Sequence, residues 1–458
     1  GLDAGIFPSH MSGEKTKRGT LKFLLDNSAF LIAGAAAALV WANLNKAGYD
    51  EVMGKVLAGE GAHAITPRFI INDILMAFFF AIAGKEVWEA LLPGGPLSNL
   101  RKAATPLLAT LGGMVGPAGL YLLGCYYTGT LDSLGNGWAV PMATDIAFSY
   151  LVARLIFGPG HAAIPFLLLL AIADDAAGLL ILAVFYPQGP LAPVWLLATL
   201  AAIVLGLLMR RLQLQRVRWY LILPGALSWF SFLEAGLHPA LGLIPIIPTL
   251  PHAHTDLGLF AREELGRKDT LNEFEHWWKN PVEIFLGLFG LANAGVEMSS
   301  VGTGTWLVLV GLLIRNPLGI AFFTVLGQKL LRLELPAGMG FRDLLTVGMV
   351  AGIGFTVSLF VAAAAFTGES LELDAVKMGA LGSFAAAFLA IGGARAMGIR
   401  PGAASAETGK QEASSEEAPS EETPSEEAPS EETPSEETPS EETPSEETGK
   451  TEAGDESA

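Results

Sequence analysis

The chain contains 458 residues, of which 51% are hydrophobic and 16% charged, and its formal net charge is −18. Residues 401–458 hold nineteen acidic residues and two lysines, whereas residues 1–400 are almost neutral, with 27 acidic and 26 basic residues. The single cysteine, Cys125, excludes an intrachain disulfide and a cysteine-based metal cluster. The composition therefore predicts two parts, a very apolar body and an acidic tail.

Apolar runs recur along the body at lengths that suit membrane-spanning helices. The first run, 29–44, follows a basic segment but precedes no convincing cleavage site, so we interpret it as a membrane helix. The seventh and eighth runs are joined by a short turn near Gly236. Twelve candidate spans result, with centres near residues 37, 81, 114, 147, 174, 200, 227, 243, 290, 316, 355 and 384.

Lysine and arginine residues test this count separately, because they gather in loops on the cytoplasmic side of a membrane. Basic residues cluster before the first span and after the even-numbered spans, as with Arg210 and Arg211 after the sixth. The loops between are almost free of them, which indicates twelve spans with both termini cytoplasmic. We predict a cytoplasmic N-terminal segment 1–24, a transmembrane domain 25–397 and a tail 398–458.

The fifth run, 162–186, carries two adjacent carboxylates, Asp174 and Asp175. An ionisable residue at the membrane midplane costs about 2.5–3.5 kcal/mol or more, so such residues usually mark an ion or proton site. The alternative is a structural pair bonded to neighbouring helices. Repulsion between adjacent carboxylates adds to the desolvation cost and argues against that alternative.

The fourth and eleventh runs contain residues that interrupt a helix. Pro141 and Asp145 stand within the fourth run, and Gly352 and Gly354 within the eleventh. Unsatisfied backbone groups are tolerated at membrane depth only beside protein or a water-filled cavity. Each break lies in the middle of a block of three spans, so inverted repeats would make the two breaks cross near the midplane. The alternative is a simple proline kink and close packing at the glycines.

From residue 401 onward the chain changes character, and Pro-Ser-Glu-Glu-Thr, or its Ala variant, then recurs every five residues as far as Thr448. Dense negative charge, regular proline and the lack of large apolar residues predict a disordered, extended tail. The alternative is a docking segment for a basic cytoplasmic partner.

Five motifs occur in one order along the body. They are Ala-Thr-Asp-Ile-Ala-Phe at 143–148, Ala-Asp-Asp at 173–175, Ala-Asn-Ala-Gly-Val at 292–296, Pro-Leu-Gly-Ile at 317–320 and Gly-Ile-Gly-Phe-Thr at 352–356. This pattern resembles the NhaA-type sodium/proton antiporter family, itself a standard example of an inverted-repeat transporter, over about residues 20–395. The resemblance implies an all-α polytopic membrane protein with about twelve transmembrane helices, inverted repeats and two interrupted helices that cross at mid-membrane.

By this resemblance Asp174 and Asp175 form the ion and proton site, and Thr144 contributes to sodium binding. Asp145 would offset the positive helix ends that meet where the broken spans cross, with Gly352 and Gly354 in the second break. Asp73 matches a further acidic position in the family's second span.

Three positions match residues implicated in the family's pH response: Glu86, His238 and Glu275. Read alone, His238 at a turn between two spans is more typical of a structural hydrogen bond. Glu86 with Lys85 and Glu89 is equally typical of an interfacial cluster whose long side chains reach water.

The chain departs from the family at three positions. Asn316 stands where the family usually has a lysine, and the preceding residue is Arg315, about 100° round the helix. If Arg315 supplies the missing cation, replacing it by alanine should impair transport or folding, whereas replacing Asn316 by alanine should do little. Ala90 and Lys279 stand in place of a family glutamate and a family histidine.

We expect a secondary transporter, not an enzyme, that exchanges sodium or lithium for protons in the bacterial inner membrane. It would need no cofactor and no nucleic-acid partner. The polar segment from Gly61 to Pro67 is compatible with the contacts of a homodimer but does not require them. The alternatives are a cation channel or a sodium-coupled organic-anion symporter. An intramembrane aspartyl protease would need its aspartates on separate helices, in a Gly-x-Gly-Asp context that this chain lacks.

Overall fold

The computed structural model of the protein describes residues 29–61, 64–251, 270–366, 368 and 370–399. These residues form helices and one isolated β-bridge, between Ala58 and Ile65. The predicted segment 1–24 and the tail from residue 400 onward lie outside the described residues.

The principal helices are named here in chain order. They are α1 (Ala29–Leu44), α2 (Lys46–Gly54), α3 (Met76–Leu91), α4 (Leu100–Thr128), α5 (Leu131–Met142), α6 (Ile146–Phe157), α7 (Ala163–Phe185), α8 (Pro193–Arg211), α9 (Ala226–Glu234), α10 (Pro239–Thr249), α11 (Thr270–Asn293), α12 (Thr303–Leu331), α13 (Phe341–Ala351), α14 (Phe355–Ala365) and α15 (Leu371–Ala396). Shorter π-helical turns at Ile70–Leu75 and Leu221–Gly225 precede α3 and α9.

Length and apolar composition identify the helices that suit a bilayer. Five described helices, α4, α7, α8, α12 and α15, are long and apolar enough to cross one, and counting two bent helix pairs raises the number to seven. The apolar runs 29–44 and 162–186 coincide with α1 and α7 to within a residue. The described part of the chain is therefore an all-helical structure of membrane-protein character.

Helix α11 differs from the sequence prediction of a span centred near residue 290. It begins at Thr270 and continues through a polar segment before its apolar half. Leu271 and Phe274 explain this extension, because both are completely buried. They lie in a core that also contains Tyr220, next to the π-helical turn Leu221–Gly225, and Leu243 of α10. Burial of one helical face favours the helix even where the local sequence is polar.

Two helix pairs are bent at short breaks. The axes of α5 and α6 differ by 49°, and those of α13 and α14 by 48°. The breaks touch, because a Cβ atom on Gly354 would lie 2.6 Å from the carbonyl oxygen of Ala143. Only glycine allows this approach of the two backbones.

Helices α1 and α11 pack closely through glycines. A Cβ atom on Gly290 would lie 2.8 Å from the carbonyl oxygen of Leu31 and 3.0 Å from the backbone nitrogen of Ala35. Such small-residue contacts let two helix backbones approach closely, as is common between membrane helices.

Gly290→Ala is expected to destabilise the protein by about 1–3 kcal/mol, because its methyl group meets backbone that cannot move aside. Gly392→Ala in α15 is the matched control. No atom lies within 4 Å of its added Cβ, so it should stabilise the helix by about 0.5–1 kcal/mol. Thermal denaturation in detergent should show a lower melting temperature for Gly290→Ala and a higher one for Gly392→Ala. Equal shifts of the melting temperature would contradict this packing of α1 on α11.

Candidate functional site

The two helix breaks are joined to each other and to α7 by hydrogen bonds. The Thr144 backbone N–H donates to Oδ2 of Asp174 over 2.9 Å, and the Asp145 backbone N–H donates to the carbonyl oxygen of Ile353 over 2.7 Å. The Thr144 hydroxyl donates to the carbonyl oxygen of Ala351 over 3.0 Å. Backbone groups freed by the breaks are therefore satisfied within the protein.

The Asp145 carboxylate serves the amino ends of two helices. It caps α6 by accepting a hydrogen bond from the Phe148 N–H over 3.2 Å. Its Oδ2 atom also accepts from the N–H of Thr356 in α14 over 3.2 Å, and from the Thr356 hydroxyl. Because helix amino ends carry partial positive charge, one buried carboxylate at both ends is electrostatically favourable.

Asp174 and Asp175 lie in the middle of α7 and line one cavity. Asp174 is 6% exposed and Asp175 is half-buried. The cavity has a volume of about 30 Å³, room for one or two water-sized species. Its other lining residues are Phe79, Phe80, Ala83, Met114, Ala139, Met142, Ala143, Gly178, Leu179, Ile181, Leu182, Val357 and Val361.

The cavity gathers negative charge in an otherwise apolar surrounding. Asp174 and Asp175 are adjacent in the chain and line the same cavity, so their negative charges repel each other. A cation or protons would relieve this repulsion. Thr144 is not among the described residues that line the cavity, although Ala143 beside it is.

Backbone carbonyl oxygens at the carboxyl end of α13 accept hydrogen bonds from neutral donors. The carbonyl oxygen of Ala351 accepts from the Thr144 hydroxyl and from Nδ2 of Asn316 over 3.0 Å, and that of Val350 accepts from the Ser149 hydroxyl over 3.1 Å. Asn316 is 1% exposed. These contacts place an amide where the family usually has a lysine.

The sequence leaves open whether Arg315 supplies the missing cation, and the structure describes where its side chain lies. Arg315 ends the π-helical turn Gly311–Arg315 inside α12, and its side chain is exposed. The rotation between successive helical residues turns Arg315 outward because Asn316 points inward.

Asn316→Ala is therefore expected to lower stability by about 1–3 kcal/mol, because the buried Ala351 carbonyl loses a donor and a small void forms. Arg315→Ala, the neighbouring exposed control, should change stability by less than about 0.5 kcal/mol. This order is the reverse of the one expected if Arg315 supplied the missing cation. Denaturation of both variants measures it, and a larger loss for Arg315→Ala would contradict the inward placement of Asn316.

His238 faces Asp73. Its Nδ1 atom lies 3.5 Å from Oδ1 of Asp73 and accepts a hydrogen bond from the Ala240 N–H over 3.3 Å. The imidazole ring also packs on Phe360, with ring centroids 4.7 Å apart, and Phe360 packs on Phe80 of the cavity wall. His238 thus caps α10 and contacts a path of aromatic rings that leads to the aspartate cavity.

Lys85 is the centre of a buried ion cluster. Its Nζ atom lies 2.6 Å from Oε1 of Glu89 and 2.6 Å from Oε2 of Glu275, and Lys85 is 2% exposed. The lysine therefore does not extend to water, contrary to the interfacial alternative. The cluster ties α3, whose residues line the cavity, to α11, and half-buried Glu86 adjoins Lys85 in the chain.

Sequence reasoning missed three of these contact residues. Thr356 stands at the end of the Gly-Ile-Gly-Phe-Thr motif, where a hydroxyl at membrane depth signals a hydrogen-bond partner. The sequence around Lys85 is typical of an interfacial residue, and Ser149 carries no sequence signal of its own.

Known proteins resemble this chain over most of its length. The family model described as Na+/H+ antiporter 1 matches residues 22–393. A "Na(+)/H(+) antiporter NhaA" from Jannaschia sp. (strain CCS1) is 52% identical over 403 residues, which covers 81% of this chain and 96% of the relative. A protein of the same name from Geotalea uraniireducens (strain Rf4) is 48% identical over 382 residues, covering 83% and 97%.

The helical fold, the buried carboxylate site and these relatives define an integral membrane protein of the secondary-transporter class, not an enzyme. The chain belongs to the NhaA-type sodium/proton antiporter family.

Proposed function

We propose that this protein exchanges sodium for protons across the bacterial inner membrane, with Asp174 and Asp175 as the site of exchange. The observation that carries the proposal is that both carboxylates line one small cavity beside the two helix breaks. Membership of the antiporter family supports exchange over a cation channel or an organic-anion symporter.

The mechanism is a competition for oxygen atoms. Two adjacent carboxylates in a poorly hydrated cavity cannot both ionise cheaply, so they hold protons readily. A small hard cation prefers carboxylate and carbonyl oxygens and would take the same positions. If the cavity opens to one side at a time, protons that enter from outside displace sodium, and sodium that binds inside displaces protons.

We propose further that each bent pair, α5 with α6 and α13 with α14, is one interrupted span within about twelve spans arranged as inverted repeats. The contact between the breaks supports this proposal, as do the similar bends of 49° and 48°. The distribution of basic residues supports cytoplasmic termini.

Asp174 and Asp175 are the proposed ligands of sodium or lithium. Thr144 is the further proposed contributor to sodium binding, and its hydrogen bonds also support the aspartates. Its N–H holds one oxygen of Asp174, while its hydroxyl bonds to the Ala351 carbonyl. Thr144 therefore orients the ligand Asp174.

We propose that Glu86, Glu275 and His238 carry the response to pH. Glu275 belongs to the Lys85 cluster between α3 and α11, and His238 faces Asp73. Both contacts join elements that border the cavity wall, so a change of charge at either one alters the packing around the aspartates.

Transport by the full chain in proteoliposomes tests the proposal. Vesicles with a preformed pH gradient are diluted into sodium, lithium or potassium salts at several values of pH. Sodium and lithium should collapse the gradient and potassium should not. Sodium flux without proton movement would favour the channel or symporter and overturn the proposal.

A further inference from the structure

A second, larger cavity lies outside the aspartate site. It has a volume of about 740 Å³, within the range of small-ligand sites. Its walls come from the first turns of α4 and α7 and from the loop that follows α12. They include Pro106, Pro165, Phe166 and Leu169.

Two arginines, Arg101 of α4 and Arg332 after α12, line the same groove, and both are exposed. Glu334 is the acidic lining residue, so the groove keeps a surplus of positive charge. The Thr105 hydroxyl donates to the backbone carbonyl of Glu334 over 2.9 Å, which fixes the loop against α4. The two guanidinium groups are thus carried by connected elements.

Arg332 has a backbone conformation that favours glycine. Its φ and ψ angles are 53° and 37°, and its N–H closes the end of α12 on the Gly327 carbonyl. Left-handed backbone is uncommon for residues other than glycine, asparagine and aspartate. An arginine here indicates a use for its side chain that offsets the backbone strain.

The groove runs along a membrane helix from its end inward. Ala162 and Leu169 are seven residues apart on or next to α7, roughly 10 Å at the helical rise. The groove therefore joins a charged rim at the helix ends to an apolar wall. Loops rich in arginine lie on the cytoplasmic side by the charge pattern of the sequence.

We propose that this groove binds an anionic phospholipid of the inner leaflet. Arg101 and Arg332 hold the phosphodiester, since the planar guanidinium group suits bidentate contacts with phosphate oxygens. An acyl chain lies along Pro165 and Leu169. Phosphatidylglycerol has the required chemistry, a phosphate with no compensating ammonium group.

Thermal denaturation of the full chain in detergent, with phosphatidylglycerol, phosphatidylcholine or inorganic phosphate added, tests the proposal. Phosphatidylglycerol should raise the melting temperature most. The double variant Arg101→Gln with Arg332→Gln should need roughly tenfold more of it for the same shift, since each arginine at the surface contributes modestly to anionic-lipid binding. Arg395→Gln, an exposed arginine of α15 that does not line the groove, is the control.

Arg332→Gly separates the lipid contact from the strained backbone. Glycine suits the left-handed conformation, so this variant should be at least as stable as the parent without lipid, yet show a smaller phosphatidylglycerol shift. Native mass spectrometry counts the lipids retained. An unchanged shift in the double variant, or an equal effect of phosphatidylcholine, would overturn the proposal. An equal effect of inorganic phosphate would assign the groove to free phosphate instead.

Discussion

Replacing Asp175 by asparagine is expected to reduce sodium-driven proton movement in proteoliposomes roughly a hundredfold or more. The carboxylate is half-buried in the cavity that it shares with Asp174. Loss of one charged partner from a buried ionic contact costs about 3–5 kcal/mol, and 1.4 kcal/mol corresponds to a factor of ten in binding. The pH-gradient assay measures this loss.

The matched control is Asp132→Asn, an exposed acid near the start of α5. It should transport at the rate of the parent. The Asp175 variant should fold normally, because asparagine has the same shape and removes a repulsive charge. A folded Asp175→Asn variant with undiminished exchange would exclude the aspartate pair as the site.

Lys85→Met is expected to destabilise the protein by about 3–5 kcal/mol, because it leaves the carboxylates of Glu89 and Glu275 without their shared cation. Methionine is about as long as lysine, so the loss of stability would come from the missing charge more than from poorer packing. Thermal or chemical denaturation in detergent measures the effect.

A triple variant, Lys85→Met with Glu89→Gln and Glu275→Gln, should regain most of that stability, since replacing all members of a buried ion cluster by neutral residues is often close to neutral. Lys329→Met, an exposed lysine of α12, is the control and should shift stability by less than about 0.5 kcal/mol. Stability that stays low in the triple variant would show that packing, not charge, holds this cluster.

The sequence predicts those features of the candidate site that residues close together in the chain encode. Adjacent aspartates in an apolar run, a proline and glycines at membrane depth, and five ordered motifs all stand in the sequence. The role of Arg315 could not be predicted, because the direction of a side chain depends on helix rotation, which the π-helical turn Gly311–Arg315 sets. The Lys85 cluster was equally hidden, since Lys85 and Glu275 are 190 residues apart.

The sequence by itself determined the membrane character of the chain and the limits of helices such as α1 and α7, because the length of an apolar run and the need to satisfy backbone hydrogen bonds are local properties. Only the tertiary structure decided which polar groups meet. Asp145 contacts Thr356 across 211 residues, and Asn316 rather than Arg315 bonds to the end of α13. Such contacts depend on how helices pack, and no local pattern encodes that arrangement.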